Sequence, residues 1–270
     1  MERPPRLRID TSDDGVRHVV LAGGRGNAMD PGLLEALEAA FGPEDATPTV
    51  LRADGRAFCT GLDLIDASSR DRDGMRELMA TFHRALRAVF THAGPVVAAI
   101  NGHAIAGGAL LAFCADLRIM AEGSGRFGVH GVQLGVVYPD VVVEILRHQL
   151  PASGHQRLLF EGRLHDDAFA HRAGWIDERV AHEGLTDRAR ALAAARATPV
   201  FVATKRRLRA PAAATLATID DDGMRRWLDR WFAADTSERR AAALRALRDR
   251  EGHRPGEDPA HHAPSVKDTP

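Results

Sequence analysis

Residues 95–100 form a run without a polar side chain, Pro95-Val96-Val97-Ala98-Ala99-Ile100. A run this short and this apolar reads as a strand buried on both faces, and such strands belong to sheets covered by helices on both sides. Asn101-Gly102 breaks the run, Ala106-Gly107-Gly108-Ala109 opens a helix reaching about Ala115, and residues 117–120 read as a strand again. Strands and helices that interleave in this way place the chain in the α/β class.

The flanking segments extend the pattern. Residues 7–9 and 16–21 read as two strands around the turn Ser12-Asp13-Asp14-Gly15. Asp30-Pro31 opens a helix, with Asp at the N-cap and Pro at the first helical position, and Leu33, Leu34, Leu37 and Phe41 follow at helical spacing. Residues 49–52 are a third strand, which runs into a turn-rich segment over 55–64. A second helix is expected over 74–90, with Leu78, Phe82, Leu86 and Val89 on one face. From about Pro151 strand signals fade, and helices are expected over 185–197, 223–234 and 237–249, with Trp227, Leu228, Trp231 and Phe232 as an apolar stripe. The chain thus divides into an α/β core over 1–195, a C-terminal helical region over 196–250 and a tail over 251–270 with little to pack.

Composition narrows the function classes. A chain of 270 residues, 44% hydrophobic and 27% charged, can bury one sizeable core. Its 36 basic and 37 acidic residues give a net charge of −1, so no global attraction to nucleic acid or to an anionic membrane is expected. Cys59 and Cys114 stand far apart, without metal-ligand spacing, and no His/Cys/Asp cluster suggests a metal. A reduced, cytoplasmic setting is expected, because the first ten residues are polar and no run of about 18 apolar residues occurs. No Gly-x-Gly-x-x-Gly opens a helix after the first strand, which argues against a dinucleotide-binding oxidoreductase.

Two glycine segments carry the chemistry. The first is residues 55–64 and the second residues 101–109; each follows an apolar strand, and in the second the glycines also open a helix. Such glycines can simply be tight turns that let a helix pack on a sheet. They can also bring free backbone N–H groups, backed by a helix N-terminus, close to a ligand. Two N–H groups aimed at one point form an oxyanion hole for a carbonyl oxygen that gains negative charge.

The wording of these segments resembles a known family. Arg56-Ala57-Phe58-Cys59-Thr60-Gly61-Leu62-Asp63-Leu64 is similar to the first signature of the enoyl-CoA hydratase/isomerase (crotonase) family. Residues 95–116, with Phe127-Gly128 and Leu134-Gly135, are similar to the second. Asn27-Ala28-Met29, Glu161-Gly162-Arg163 with Ala173-Gly174, and Thr204-Lys205 match as well, so the resemblance covers about residues 7–249. It implies a spiral of ββα units, a C-terminal helical trimerisation region, and a homotrimer or dimer of trimers. It also implies an acyl-CoA substrate, with coenzyme A as part of that substrate and no separate cofactor. The oxyanion hole would use the N–H groups of Leu62 and Gly107. Arg25, Ala28, Cys59, Thr60, Asp63 and Leu64 would hold the CoA thioester, with Ala106, Leu110 and Gly131 beside the acyl group.

The chain departs from the family where proton transfer is expected. Family hydratases carry one glutamate three residues after the oxyanion glycine and another in the loop after Phe-Gly; here those positions are Leu110 and Gly131. Hydration needs a base for water and an acid for the α-carbon, and neither side chain can serve. The polar residues nearest the loop are His130, Tyr138 and Asp140, the candidates to move a proton, although Asp140 could instead cap the helix carrying Val143 and Leu146. Gly107-Gly108-Ala109 and Leu134-Gly135-Val136-x-Tyr138 resemble the methylmalonyl-CoA decarboxylase branch, in which a tyrosine faces the reacting group; that branch has a histidine where Leu62 stands. The reaction is therefore expected to be a decarboxylation, a β-diketone C–C hydrolysis or another enolate reaction rather than ordinary hydration. A catalytically silent acyl-CoA-binding subunit is the alternative. Other residues have more local readings. Cys59 is expected to be packing, His103 structural, and Trp227, Trp231 and Phe232 helix packing or a subunit contact rather than an acyl-binding lid. Lys205, Arg206, Arg207 and Arg209 are either a solvated face or a grip on CoA phosphates.

Overall fold

A computed structural model gives the fold and describes residues 6–218 and 221–252. The larger sheet has six strands: β1 (Leu7–Thr11), β2 (Arg17–Leu21), β3 (Thr49–Ala53), β5 (Val96–Ile100), β7 (Leu117–Ala121) and β10 (Glu178–Val180), hydrogen-bonded in that order. β1 pairs antiparallel with β2, and every later pairing is parallel. The smaller sheet has four short strands: β4 (Ala57–Cys59), β6 (His103–Ile105), β8 (Phe127–Gly128) and β9 (Leu164–His165).

The apolar run is buried on both faces. Val96, Ala98 and Ile100 of β5 enter the main core, while Val97 and Ala99 face a second cluster with Leu185, Ala189 and Leu192 of α8 (Leu185–Ala194). On the main-core side lie α1 (Pro31–Ala40), α3 (Arg72–Thr91), α4 (Gly107–Cys114) and α5 (Asp140–Gln149). Asp30 caps α1 by accepting from the Leu33 N–H, with Pro31 at its start, as the sequence indicates. Three short helices complete the core region: α2 (Leu64–Ser69), α6 (Ala152–Glu161) and α7 (Asp167–Arg172).

The C-terminal part is helical, as expected, and contains one helix that the apolar pattern hides. α9 (Pro199–Ala217) buries Lys205, Arg209, Ala212 and Leu216 on one stripe, so two of its four core positions are cations. Lys205 donates to Asp116 at 2.7 Å and to the Gly94 carbonyl at 2.7 Å. Arg209 pairs with Asp116 at 2.9 Å and also reaches the carbonyls of Phe90, Cys114 and Ala115. Arg209 thus binds the last carbonyls of α3 and α4, where cations are favoured, and Lys205 shares Asp116 with it. Lys205 and Arg209 are therefore neither a solvated face nor free to reach CoA phosphates.

α10 (Asp221–Trp231) and α11 (Ala234–Gly252) follow. The expected tail over 251–270 lies outside the described residues from 253 onward. No helix among the described residues is long and apolar enough to cross a membrane.

Candidate active site

The two glycine segments meet. β4 leads into Thr60 and Gly61, β6 leads into Ala106 and the start of α4, and β4 and β6 are neighbours in the small sheet. A Cβ added to Gly61 would lie 2.8 Å from the Gly107 nitrogen, and one added to Gly107 would lie 3.4 Å from the Leu62 nitrogen. Backbone geometry then holds the Leu62 and Gly107 nitrogens within about 6 Å of each other, the span across which two donors can share one oxygen.

Both amides are free to donate. Leu62 bridges Met29 in parallel fashion, through Met29 N–H to Gly61 O at 2.8 Å and Asp63 N–H to Met29 O at 3.0 Å. That pairing turns the Leu62 N–H away from Met29, and it finds no acceptor among the described residues. Ala106, at φ 51° and ψ −120°, donates to Gly128 O at 2.9 Å and swings the chain into α4. A left-handed alanine costs on the order of 1–3 kcal/mol and persists only where its surroundings hold it. Its effect is to leave the Gly107 N–H unpaired at the positive end of a helix whose eight residues are all buried. Gly108 permits this approach, since a Cβ there would sit 2.0 Å from the Cys59 carbonyl oxygen.

A cavity of about 450 Å³ opens in front of the two amides. Ala28, Thr60, Leu62, Asp63, Leu64, Ala106, Gly107, Leu110, His130, Gly131 and Tyr138 all line it. The Asp63 carboxylate is engaged as the cap of α2, accepting from Ile65 N–H at 3.0 Å and Asp66 N–H at 3.1 Å. Three candidates fall elsewhere. Cys59 is fully buried in β4 behind the loop, and burial pushes its thiol up to about 12, so it packs rather than touching a ligand. Asp140 is the exposed first residue of α5; it makes no capping bond and lines an adjoining chamber, not this cavity. The side chain of Arg25 lies outside the described residues.

The unpartnered polar groups are informative. His130 Nδ1 and the Tyr138 hydroxyl are buried and make no hydrogen bond; the Gly131 and Val132 amides face the phenol without reaching bonding geometry. Burial lowers the His130 imidazole below its ordinary value and raises the Tyr138 phenol above its own. Near neutral pH the site therefore offers an uncharged imidazole that can accept a proton and a phenol that can give one. A Cβ at Gly131 would lie 3.1 Å from Cε1 and Cζ of Tyr138, so the tyrosine ring occupies the space of the missing side chain.

The cavity roof was not anticipated. Trp227 and Trp231 stack at 5.2 Å and line the cavity, and Trp227 Nε1 donates to Val137 O at 2.8 Å. Helix packing holds as expected, but the same rings are also cavity walls. Met79 and Phe82 of α3 line the cavity too; the sequence marks Phe82 only as an apolar helix position and does not single out Met79. His103 is exposed and accepts from the Arg126 N–H at 3.1 Å, a structural role.

A family model described as enoyl-CoA hydratase/isomerase matches residues 12–226. The chain belongs to that family. The enoyl-CoA hydratase domain-containing protein 3 of Rattus norvegicus, a mitochondrial protein, is 29% identical over 198 residues, covering 71% of this chain and 65% of the relative. The chain therefore spans just under two thirds of that curated relative. A methyl-dioxo-hexahydroindene-carboxyl-CoA hydrolase of Mycobacterium tuberculosis is 31% identical over 184 residues, covering 65% of this chain and 71% of the relative. Among solved structures, human mitochondrial Δ3-Δ2-enoyl-CoA isomerase superposes with a TM-score of 0.83 at 22% identity, covering 92% of this chain and all of that one. An enoyl-CoA hydratase of Mycobacterium ulcerans gives 0.73 at 26% identity, over 82% and 99%. The crotonase fold expected from the glycine segments is thus the fold of this chain.

Proposed function

We propose that this crotonase-family chain is an acyl-CoA enzyme that forms a thioester enolate by breaking a carbon–carbon bond, not by ordinary hydration. One observation carries the reading. The unpaired Leu62 and Gly107 amides open onto a cavity that also holds the unpartnered His130 and Tyr138, with Leu110 and Gly131 where the resemblance would put the family's glutamates. In the proposed reaction a β-carboxylate leaves the acyl group as CO2, and its bonding pair moves through the α-carbon onto the thioester oxygen. The two amides stabilise that oxygen, typically by about 3–4 kcal/mol for each donor. Tyr138 then protonates the α-carbon, and bulk water reprotonates the phenolate. The family hydratase route lacks its acid and base here.

A hydrolytic variant is supported by the Mycobacterium tuberculosis relative, whose name is that of a carboxyl-CoA hydrolase. There His130 would take a proton from the attacking water. The experiment is a turnover screen in D2O with malonyl-, methylmalonyl- and β-ketoacyl-CoA esters beside crotonyl-CoA. Expected is C–C cleavage with deuterium at the α-carbon, at least about 100-fold slower in Tyr138→Phe or His130→Ala, the range typical of a lost acid or base. Efficient hydration of crotonyl-CoA would overturn the reading. Tight CoA-ester binding without turnover would favour a silent binding subunit.

A further inference from the structure

Behind the Tyr138 side of the cavity lies a second chamber of about 330 Å³. Tyr138, Pro139 and Trp227 belong to the walls of both spaces. Both spaces are mainly apolar, and the second also carries His83, Asp140, Arg226 and Arg230 among residues such as Val137 and Met224. α3 serves both: Met79 and Phe82 line the catalytic cavity, and the next residue, His83, lines the chamber. An acyl chain passing the Tyr138–Trp227 wall would meet these four polar groups.

Two of those groups lack partners. His83 Nε2 is buried and makes no hydrogen bond. Arg226 forms no ion pair among the described residues, whereas its neighbours on α10 are engaged, Arg225 with Asp222 and Arg230 with Asp235. A buried imidazole nitrogen left unpaired is costly, and a ligand atom can recover that cost. Asp140 and Arg226 are both exposed at the chamber's edge, where water screens each charge, so the buried His83 nitrogen is the group there that a ligand alone can satisfy. An exposed guanidinium and a buried imidazole able to donate one hydrogen bond, lining one chamber, suit a carboxylate.

We infer that the chamber is a specificity subsite for a carboxylate at the far end of the acyl group, so that the preferred substrates are dicarboxylic acyl-CoA thioesters. The inference rests on the acyl-CoA reading above. His83 is held at a pKa of about 4 by burial, so it meets the carboxylate as a neutral donor and Arg226 supplies the charge.

The test is calorimetric binding of adipoyl-CoA and suberoyl-CoA against hexanoyl-CoA and octanoyl-CoA, to the wild-type chain and to Arg226→Ala, His83→Leu and Arg225→Ala. Expected is a preference of about tenfold for the dicarboxylic ester at one chain length or both, the size of one charge-assisted bond. Arg226→Ala and His83→Leu should erase most of that preference, and Arg225→Ala, next to Arg226 on the same helix, should keep it. The inference is overturned if plain and dicarboxylic esters bind equally, or if the preference survives Arg226→Ala. Binding of neither series overturns the acyl-CoA reading itself, and the subsite with it.

Discussion

Gly131 and Tyr138 exchange volume, and that exchange sets the chemistry of the pocket. The tyrosine ring can stand where it does because position 131 carries no Cβ. Gly131→Glu is therefore expected to be a poor route back to hydration: the new side chain and the ring compete for one space. Overpacking of this kind costs about 1–3 kcal/mol, so the variant should melt earlier than wild type and still fail to hydrate crotonyl-CoA. The two thiols make a second prediction at this scale. Burial pushes both Cys59 and Cys114 up to about 12. Neither should react with a thiol reagent at pH 8 until the protein is unfolded, which a timed colorimetric titration would read. Fast labelling of either in the native state would contradict the buried placement. Leu62 and Gly107 were legible as cavity residues from the two glycine segments, and His130, Gly131 and Tyr138 from the family resemblance of the loop after Phe127-Gly128. Trp227 and Trp231 were not, because a tryptophan stripe at helical spacing reads the same whether it covers a core or a ligand.

Among the elements, α9 shows what a hydrophobicity pattern misses. Its buried stripe runs Lys205, Arg209, Ala212, Leu216, so it has no apolar periodicity to find, although Thr198 accepting from Phe201 N–H and Pro199 at the start do mark where it begins. The stripe works because Asp116 and the carbonyl ends of α3 and α4 lie underneath it. Asp116→Ala strips both cations of their counter-ion and also removes the acceptor for the Val96 N–H at 2.7 Å. It is expected to cost about 3–5 kcal/mol, measured as a loss of unfolding free energy in urea. Lys205→Met, which leaves Arg209 on Asp116, should cost less. Equal costs would mean that the pairing with Arg209 is not independent. The short strands β4, β6, β8 and β9 also escaped the sequence reading: at two or three residues each they have no room for alternation, and the small sheet forms only when distant segments meet.

For the molecule as a whole, acid stability follows from its histidines. His18, His83, His92, His130, His148 and His165 are all held below their ordinary value, each chiefly by burial. Above pH about 6.5 these groups are neutral whether the chain is folded or not, and they contribute no pH dependence. Below it the unfolded chain takes up protons that the folded chain refuses, so stability falls as pH drops, until each folded value is passed. The melting temperature should therefore decline from pH about 6.5 to about 4, and His83→Leu should flatten the slope, since His83 is depressed to about 4. A flat melting profile across that window would show that these imidazoles are solvated. Self-association is expected as well: Phe160, Val200 and Leu208 are exposed large apolar residues, and sedimentation should find a trimer or a dimer of trimers. Local sequence by itself determined the α/β class and the two glycine turns, because backbone freedom and side-chain chemistry are written residue by residue. Only the tertiary structure decided that Tyr138 fills the space at Gly131, that Trp227 and Trp231 roof the cavity, and that His83 and Arg226 share a chamber. Each of those depends on segments far apart in the chain arriving at one place, and packing alone sets that.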